Sequence, residues 1–473
     1  MNLELVSKSI IEMHALIRSG ELSPVELLEA HLAQIEEWNP KINAFVSMDK
    51  EAAMVAARRA EQEQVKNNTE LGALHGVPLS IKSAIDVAGL RCESGTRLRE
   101  GHIPDVDATL VSRLRAAGAI VLGTTNVPEL LQAVETDNLI YGRTSNPWDL
   151  SRTPGGSSGG EAAAIASYCS PGGVGSDAGG SIRIPAHFCG ITGLCPTPGR
   201  IPSTGHFPQV AGHLSIPFAL GPLARRVADV KILFEVMAGF DAADPRSVPL
   251  PFRKIDTNAC KGLRIGYFED DGLAPVTPET RAAVREAAHA LERAGFEVEP
   301  FRPSMIERAR EIWWTFVGQA GGRFIREWAG DKIDLLSPIL REFISMSSDE
   351  ALSVEQFLLD WAERDCVRAD FLKETESYAA LICPVCAIPA FRHGERNWTI
   401  DGIEVGYLDV IQTMWFSILN LPVLSLPVGR SPENLPIGVQ LVGRPFEDEM
   451  LLEIATYIEA DHGEWSPPPG LEQ

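Results

Sequence analysis

Gly155-Gly-Ser-Ser-Gly-Gly-Glu-Ala-Ala-Ala-Ile-Ala-Ser-Tyr-Cys169 is followed, after Ser-Pro, by Gly172-Gly-Val-Gly-Ser-Asp-Ala-Gly-Gly-Ser-Ile-Arg-Ile-Pro185. Two glycine-rich turns each carry serine. Between them runs Glu161 to Cys169, alanine-rich and a strong helix former, and Gly-Val-Gly then reads as a short buried strand. The glycines flanking Ser157 and Ser158 permit backbone angles that a Cβ forbids. Gly179-Gly180 immediately before Ser181 leaves main-chain N–H groups uncovered beside a hydroxyl. Acyl-transfer chemistry needs that arrangement: a nucleophile with adjacent donors for an oxyanion. A flexible Gly/Ser linker fits poorly, because linkers do not alternate with an alanine helix and end in Ile-Arg-Ile-Pro.

Outward from this stretch, strands and helices alternate. Upstream, Val77, Leu79 and Ile81 alternate with other residues, so Lys82 ends a buried strand. Taken alone, such a lysine reads as a snorkelling or paired surface residue. Residues 1–63 read as helical. Ser23-Pro24-Val-Glu26 is a capped helix start, Asn39-Pro40 a stop, and 44–48 a short strand. Lys66-Asn-Asn-Thr69 is a polar break. Thr109 to Ala117 is predicted helical and Ala119 to Gly123 extended. Downstream, 199–217 is loop-rich, Gly221 to Arg225 introduces a helix through Met237, and 241–251 reads as a linker. Strands are predicted at 263–267, 380–383, 423–427 and 437–442, and helices at 278–294, 411–420 and 447–459. Met305 to Asp370 is helical and rich in aromatics. This alternation argues an α/β layered fold, and no repeat of 20–50 residues is visible.

The 473 residues are 45% hydrophobic and 22% charged, an ordinary soluble composition. A net charge of −22 repels phosphate backbones and anionic membranes, so no nucleic-acid or membrane partner is expected. No apolar run approaches the length of a membrane span, and the N-terminus lacks a secretory pattern. The expected location is cytoplasmic, with the eight cysteines as reduced core residues. No zinc-ligand spacing and no P-loop are present, so no metal and no cofactor are expected. Cys383-Pro-Val-Cys386 has redox-motif spacing but sits in core-like sequence. A Ser-His-Asp triad around Ser181 would have to recruit His187 or another lone histidine.

The glycine–serine blocks, continued by Phe188-Cys-Gly-Ile-Thr-Gly-Leu194, resemble the signature of the amidase signature family. Gly76-Val-Pro-Leu-Ser-Ile-Lys82, Gly123-Thr-Thr-Asn-Val-Pro-Glu129, Ser145-Asn-Pro-Trp148, Gly221-Pro-Leu-Ala-Arg225, Leu421-Pro-Val-Leu-Ser-Leu-Pro427 and Leu435-Pro-Ile-Gly-Val-Gln-Leu-Val-Gly443 also look like family blocks. The resemblance spans nearly the whole chain, with 245–375 generic. It implies an α/β/α fold around a large mixed, twisted sheet. That single domain, 1–473, would carry an N-terminal helical segment, 1–63, and a variable helical insertion at about 300–375 over the pocket. It also implies a Ser–cis-Ser–Lys triad: nucleophile Ser181, bridging cis-serine Ser157, base Lys82. The oxyanion hole would be the N–H groups of Ala178, Gly179, Gly180 and Ser181, supported by Ser158, Ser176, Asp177 and Arg183. Three departures stand out. Ser176 replaces the usual threonine, Ala178 is a small change in the oxyanion loop, and Cys195 replaces a lysine outside the triad.

These roles make physical sense. A lysine base needs its pKa, near ~10.4 when unperturbed, lowered by burial. Ser157 can accept a proton from Ser181 while donating to Lys82, then reverse. The resulting expectation is a hydrolase of carbon–nitrogen acyl bonds in small-molecule amides, with carbamates and esters open and a homodimer open as the assembly. Segments 129–138, 205–218 and 305–370 should roof an apolar pocket that favours hydrophobic or aryl amides. One alternative is a glutaminase-type subunit of an amidotransferase complex. A remoter one is a non-enzymatic anion- or nucleotide-binding module.

Overall fold

The strands of the computed structural model, which describes residues 2–66, 71–347 and 352–471, begin with β1 (Phe45–Ser47), β2 (Pro78–Lys82), β3 (Ile120–Thr125), β4 (Gly172–Asp177), β5 (Thr192–Cys195) and β6 (Ala219–Ala224). They continue with β7 (Arg264–Tyr267), β8 (Glu297–Pro300), β9 (Ala380–Pro384), β10 (Asn397–Ile400), β11 (Ile403–Gly406), β12 (Val423–Arg430) and β13 (Pro436–Gly443). Eleven form one sheet in the order β1-β3-β2-β4-β6-β5-β12-β13-β9-β7-β8, and β10 pairs with β11 as a separate hairpin. The wings β3-β2-β4 and β9-β7-β8 are parallel. The centre, from β4 through β6, β5, β12 and β13 to β9, is antiparallel.

Both faces of this mixed sheet are covered. Side chains along a strand alternate between faces, and β9 shows the result. Ala380 and Ile382 enter one core with the helices Pro278–Ala294 and Asp448–His462, whereas Leu381 and Cys383 enter another with Ile306–Trp313 and Met414–Ile418. The architecture is the α/β/α layering that the sequence implies. Among the described residues no helix is long and apolar enough to cross a membrane.

Several local expectations are corrected. Gly221 to Arg225 does not lead into a helix. Ala219–Ala224 is the buried strand β6, and the helix starts only at Val227. The helix from Pro24 passes through Pro40 to Ile42 and stops at Asn43, which takes the left-handed conformation. The 305–370 segment is broken by a π-helical turn, Trp314–Ala320, and by several short helices. Cys366 is exposed, while the other seven cysteines are buried. The polar break at 67–69 lies outside the described residues.

Candidate active site

Lys82 ends β2 and Asp177 ends β4. The two strands are parallel neighbours with Ile81 opposite Val174, so their carboxyl ends open on one edge, where crevices form in α/β sheets. The Lys82 side chain is fully buried. Its Nζ donates to Ser157 Oγ at 2.7 Å, Ser158 Oγ at 2.9 Å, Ser176 Oγ at 3.0 Å and Ser176 O at 3.3 Å. Burial pushes its pKa down to about 7, against the pull of the Asp177 and Glu161 carboxylates.

Ser157 and Ser158 come from the glycine turn before the helix Gly159–Ala166, and the Gly156–Ser157 peptide is cis. Ser158 N–H donates to Ser181 O at 3.0 Å, tying this turn to the second serine loop. Ser157 and Ser181 line the same small pocket of about 80 Å³. Among the described residues Ser181 Oγ makes no hydrogen bond to Ser157 Oγ. Catalytic hydrogen bonds of this kind often tighten only in the reacting complex.

The second loop is held from below by a buried ion pair. Asp177 Oδ1 accepts the Gly180 N–H at 2.7 Å, and Oδ2 accepts the Ile182 N–H at 2.9 Å and Arg183 Nε at 3.0 Å. Arg183 Nη2 reaches Oδ1 at 2.8 Å, while its other donors go to Thr413 O and Ser417 Oγ. Burial raises the Asp177 pKa, but the guanidinium and the N–H donors outweigh it and hold the carboxyl below its usual range. One expectation changes here. The Gly180 N–H is committed to Asp177 and is not free for an oxyanion. Among the described residues the N–H groups of Ala178, Gly179 and Ser181 meet no protein acceptor, and all three residues border the main cavity.

Two further bonds fix the peptide planes. Trp313 Nε1 donates to Ala178 O at 2.7 Å, and Thr413 Oγ1 to Gly179 O at 2.5 Å. In a trans peptide the N–H points opposite the carbonyl, so the Trp313 bond aims the Gly179 N–H away from the indole. Close approach requires glycine at both positions. A Cβ on Gly179 would lie 2.5 Å from the Trp313 ring, and one on Gly180, at φ +125°, would lie 2.2 Å from Thr413 Oγ1.

Sequence reasoning missed two buried side chains at this centre. Glu161 accepts the Ser80 hydroxyl and, at 2.6 Å, Thr125 Oγ1. Burial pushes its pKa up to about 7, opposed by those hydroxyls and by Lys82. His206 places Nε2 3.2 Å from Ser176 Oγ. Glu161 carries its own signal, as a lone acid in an otherwise small and apolar helix beside strand hydroxyls. His187 is excluded from a triad. Its Nδ1 accepts the Gly438 N–H at 2.7 Å and its Nε2 meets Ile388 O at 3.1 Å.

Ser181 opens on a cavity of about 630 Å³. Its apolar wall includes Trp313, Trp314, Val317, Phe343, Met346 and Met414 from the helical stretches 306–346 and 414–418, and Leu131 to Val134 add a second side. Phe316, Phe357 and Trp361 instead stack on one another outside this wall. The 205–218 segment lines the small pocket, not the large one. The β10–β11 hairpin and the residues after it, Tyr407 to Asp409, close the far side, which the sequence reading did not anticipate. There Arg310 pairs with Asp409 at 2.6 Å and Arg396 with Glu135 at 2.5 Å.

A fully buried lysine thus bonds a cis-linked serine beside a serine loop with free N–H groups, the arrangement that the sequence resemblance leads one to expect. The Amidase family model matches residues 26–452, and the chain belongs to that family, the amidase signature enzymes. It is 33% identical over 482 residues to the A subunit of the glutamyl-tRNA(Gln) amidotransferase of Geotalea daltonii, covering 97% of this chain and 98% of the relative. Among solved structures it is similar to 6-aminohexanoate cyclic dimer hydrolase in complex with substrate, at 29% identity and a TM-score of 0.85, covering 99% and 100% of the two chains. A bacterial aryl acylamidase of the amidase signature family matches at 26% identity and a TM-score of 0.83, covering 97% and 99%.

Proposed function

We propose that the chain is a serine amidohydrolase that cleaves the carbon–nitrogen acyl bond of uncharged hydrophobic or aryl amides through an acyl-enzyme on Ser181. Ser181 Oγ attacks the carbonyl carbon; its proton passes to Ser157 as Ser157 gives its own to the neutral Lys82 amine. The N–H groups of Ala178, Gly179 and Ser181 receive the oxyanion. The relay then reverses, protonating the leaving nitrogen. Water activated by the same relay attacks the ester carbonyl, restoring Ser181 and releasing the acid.

The observation that carries the substrate class is the apolar wall beside Ser181. Against such a wall each buried methylene adds about 0.8 kcal/mol, and an uncharged acyl chain or aryl ring fits it. Both arginines of the cavity are already engaged by carboxylates, so a substrate carboxylate gains little there. Carbamates, including urethanes of aromatic amines, and esters offer the same carbonyl to the same donors and are the next substrates to test. Similarity to the aryl acylamidase and the cyclic-dimer hydrolase supports this reading.

A second reading, a glutaminase-type subunit that passes ammonia to a partner, is favoured by the curated relatives. They are the A subunits of amidotransferases, matching nearly end to end, and by names alone they back it better than the first. The purified chain, without partners, separates the two. The hydrolase reading expects kcat/KM for an aryl anilide or aryl carbamate above that for glutamine by roughly tenfold or more, the scale of two buried methylenes. Equal values, glutamine ahead, or turnover only with added partner proteins selects the amidotransferase. Ser181→Ala abolishes turnover under either reading; near-wild-type activity in that variant would sink both.

A further inference from the structure

Three hydroxyls surround the Lys82 amine, and the relay works only if one of them, Ser157, gives it a proton. A neutral amine has two N–H groups and a single lone pair. Any neighbouring hydroxyl that turned its own proton toward that lone pair would block Ser157. The heavy-atom geometry offers the other two protons acceptors of their own. Ser158 Oγ donates to Ser176 O at 3.4 Å and accepts the Ser176 N–H at 3.4 Å as well as Lys82 Nζ. Ser176 Oγ lies 3.0 Å from Lys82 Nζ and 3.2 Å from His206 Nε2.

The histidine decides the direction of that last bond. His206 Nδ1 is 2.9 Å from Pro208 O, a carbonyl that can only accept, so Nδ1 carries the ring proton. In the neutral ring Nε2 is then an acceptor, and among the described residues the Ser176 hydroxyl is its hydrogen-bond partner. With its proton spent, Ser176 Oγ must accept from Lys82.

We propose that His206 is a positioning residue that orients the hydrogen bonds around Lys82, taking the Ser176 proton so that the lysine lone pair is left to Ser157. This rests on the reading of Lys82 as the base. The chain runs from Lys82 N–H to Ser176 Oγ, from Ser176 O–H to His206 Nε2, and from His206 Nδ1–H to Pro208 O. The ring is held for the task. The backbone of His206 bridges to Ile85, three residues beyond Lys82, and Phe207 N–H donates to Ala84 O at 2.8 Å. Its edge packs on Phe218, with centroids 4.7 Å apart. The charged groups facing the ring are Lys82 and Arg246, and both oppose an imidazolium together with burial. Those facing Lys82 are Asp177 and Glu161. A protonated His206 would donate to Ser176 and turn that hydroxyl onto the lysine lone pair.

The test is a double-mutant cycle on the purified chain with an anilide substrate. His206→Phe keeps the ring shape and removes the acceptor. It should lower kcat by about tenfold, the scale of one misdirected hydrogen bond, and leave KM within about twofold. Its pH–rate midpoint should move down, because Ser176 then stabilises the neutral amine unproductively. In a Ser176→Ala background the same change should cost less than about twofold, since the hydroxyl that His206 orients is gone. His206→Gln, whose side-chain oxygen can accept the Ser176 proton, should retain most of the activity. Thermal unfolding verifies that each variant is folded. Equal losses from His206→Phe in both backgrounds, an unchanged kcat and midpoint, or a folded His206→Gln as slow as His206→Phe would overturn the proposal. A Ser181→Ala variant with normal turnover would instead overturn the underlying hydrolase reading.

Discussion

Replacing Lys82 by alanine and following anilide turnover from about pH 5 to about pH 10 probes the base directly. An unperturbed lysine is neutral in only about one molecule in 2500 at pH 7. Held near 7 by burial, Lys82 is neutral in about half the molecules, a gain of roughly 10³ in competent base. The competent form is the deprotonated one, so the sign is fixed. kcat/KM should climb about tenfold per pH unit below about pH 6 and level off above about pH 8. The sequence alone suggests a plateau in the alkaline range; full burial brings it down to just above neutral. Glu161 titrates in the same range, so the observed midpoint belongs to the pair. The assay is steady-state hydrolysis at constant ionic strength, with kcat and KM separated at each pH. Lys82→Ala should lose roughly 10²-fold or more and should lose the pH slope with it. A wild-type optimum near about pH 5, or a slope that survives in Lys82→Ala, refutes the reasoning.

Three further outcomes follow from the same geometry. Glu161→Gln removes a carboxylate that supports the ammonium form of Lys82, so the pH–rate midpoint should fall; a rise would show that the carboxylate does not act on the lysine. Arg183→Met leaves the buried Asp177 carboxylate without its counter-charge and should cost about 3–5 kcal/mol in urea unfolding, whereas a loss below about 1 kcal/mol would contradict a dry ion pair. Trp313→Phe deletes the N–H that fixes the Ala178 carbonyl, and kcat should drop about tenfold with one bond lost; an unchanged kcat would show that the peptide plane is held by other means.

The sheet was legible where apolar residues alternate or cluster, as in Leu79 and Ile81, Ala380 to Cys383 and Ile437 to Val442. It was illegible where glycine and proline interrupt the pattern. β6 reads Ala-Leu-Gly-Pro-Leu-Ala, and a proline argues against a central strand. Yet Pro222 pairs with Val174 of β4, while β5 meets β6 only at Leu223 and Ala224. Pro222 therefore interrupts the ladder on one side alone. The β10–β11 hairpin carried a readable signal in Asp401-Gly402, a favoured two-residue turn, but its strands are short and half exposed. Ser181 is marked by the Gly179-Gly180 that precede it, whereas Lys82 and Ser157 take their expected roles from the family resemblance; taken alone, Lys82 reads as a snorkelling or paired surface residue. Glu161 and His206 were not found, because they converge on Lys82 only once β2, β4 and the 205–208 loop are assembled. Nothing local marks a histidine after Thr-Gly as a neighbour of a lysine 124 positions away.

Relatives similar along nearly the whole chain carry different names, from an amidotransferase A subunit to an aryl acylamidase and a cyclic-dimer hydrolase, and the cavity offers a physical reason. The lysine, the two serine loops and the Asp177–Arg183 pair sit on the sheet edge and in the buried layers, where packing constrains nearly every residue. Ala178, Gly179 and Ser181 of the serine loop are among the lining of the cavity, which numbers 22 residues of 473, fewer than one in twenty. Most of the lining comes from 310–346 and 396–414, outside the glycine–serine loops. Replacing the other 19 would change whole-chain identity by about four percentage points, yet would rebuild the surface that the cavity presents. Trp313 belongs to both parts at once, with its ring in the cavity wall and its N–H on the Ala178 carbonyl. A substrate that presses on that indole therefore also presses on the peptide plane presenting the Gly179 N–H. Under the proposed function, binding in the apolar wall and alignment of the oxyanion donors would be linked through the Trp313 side chain.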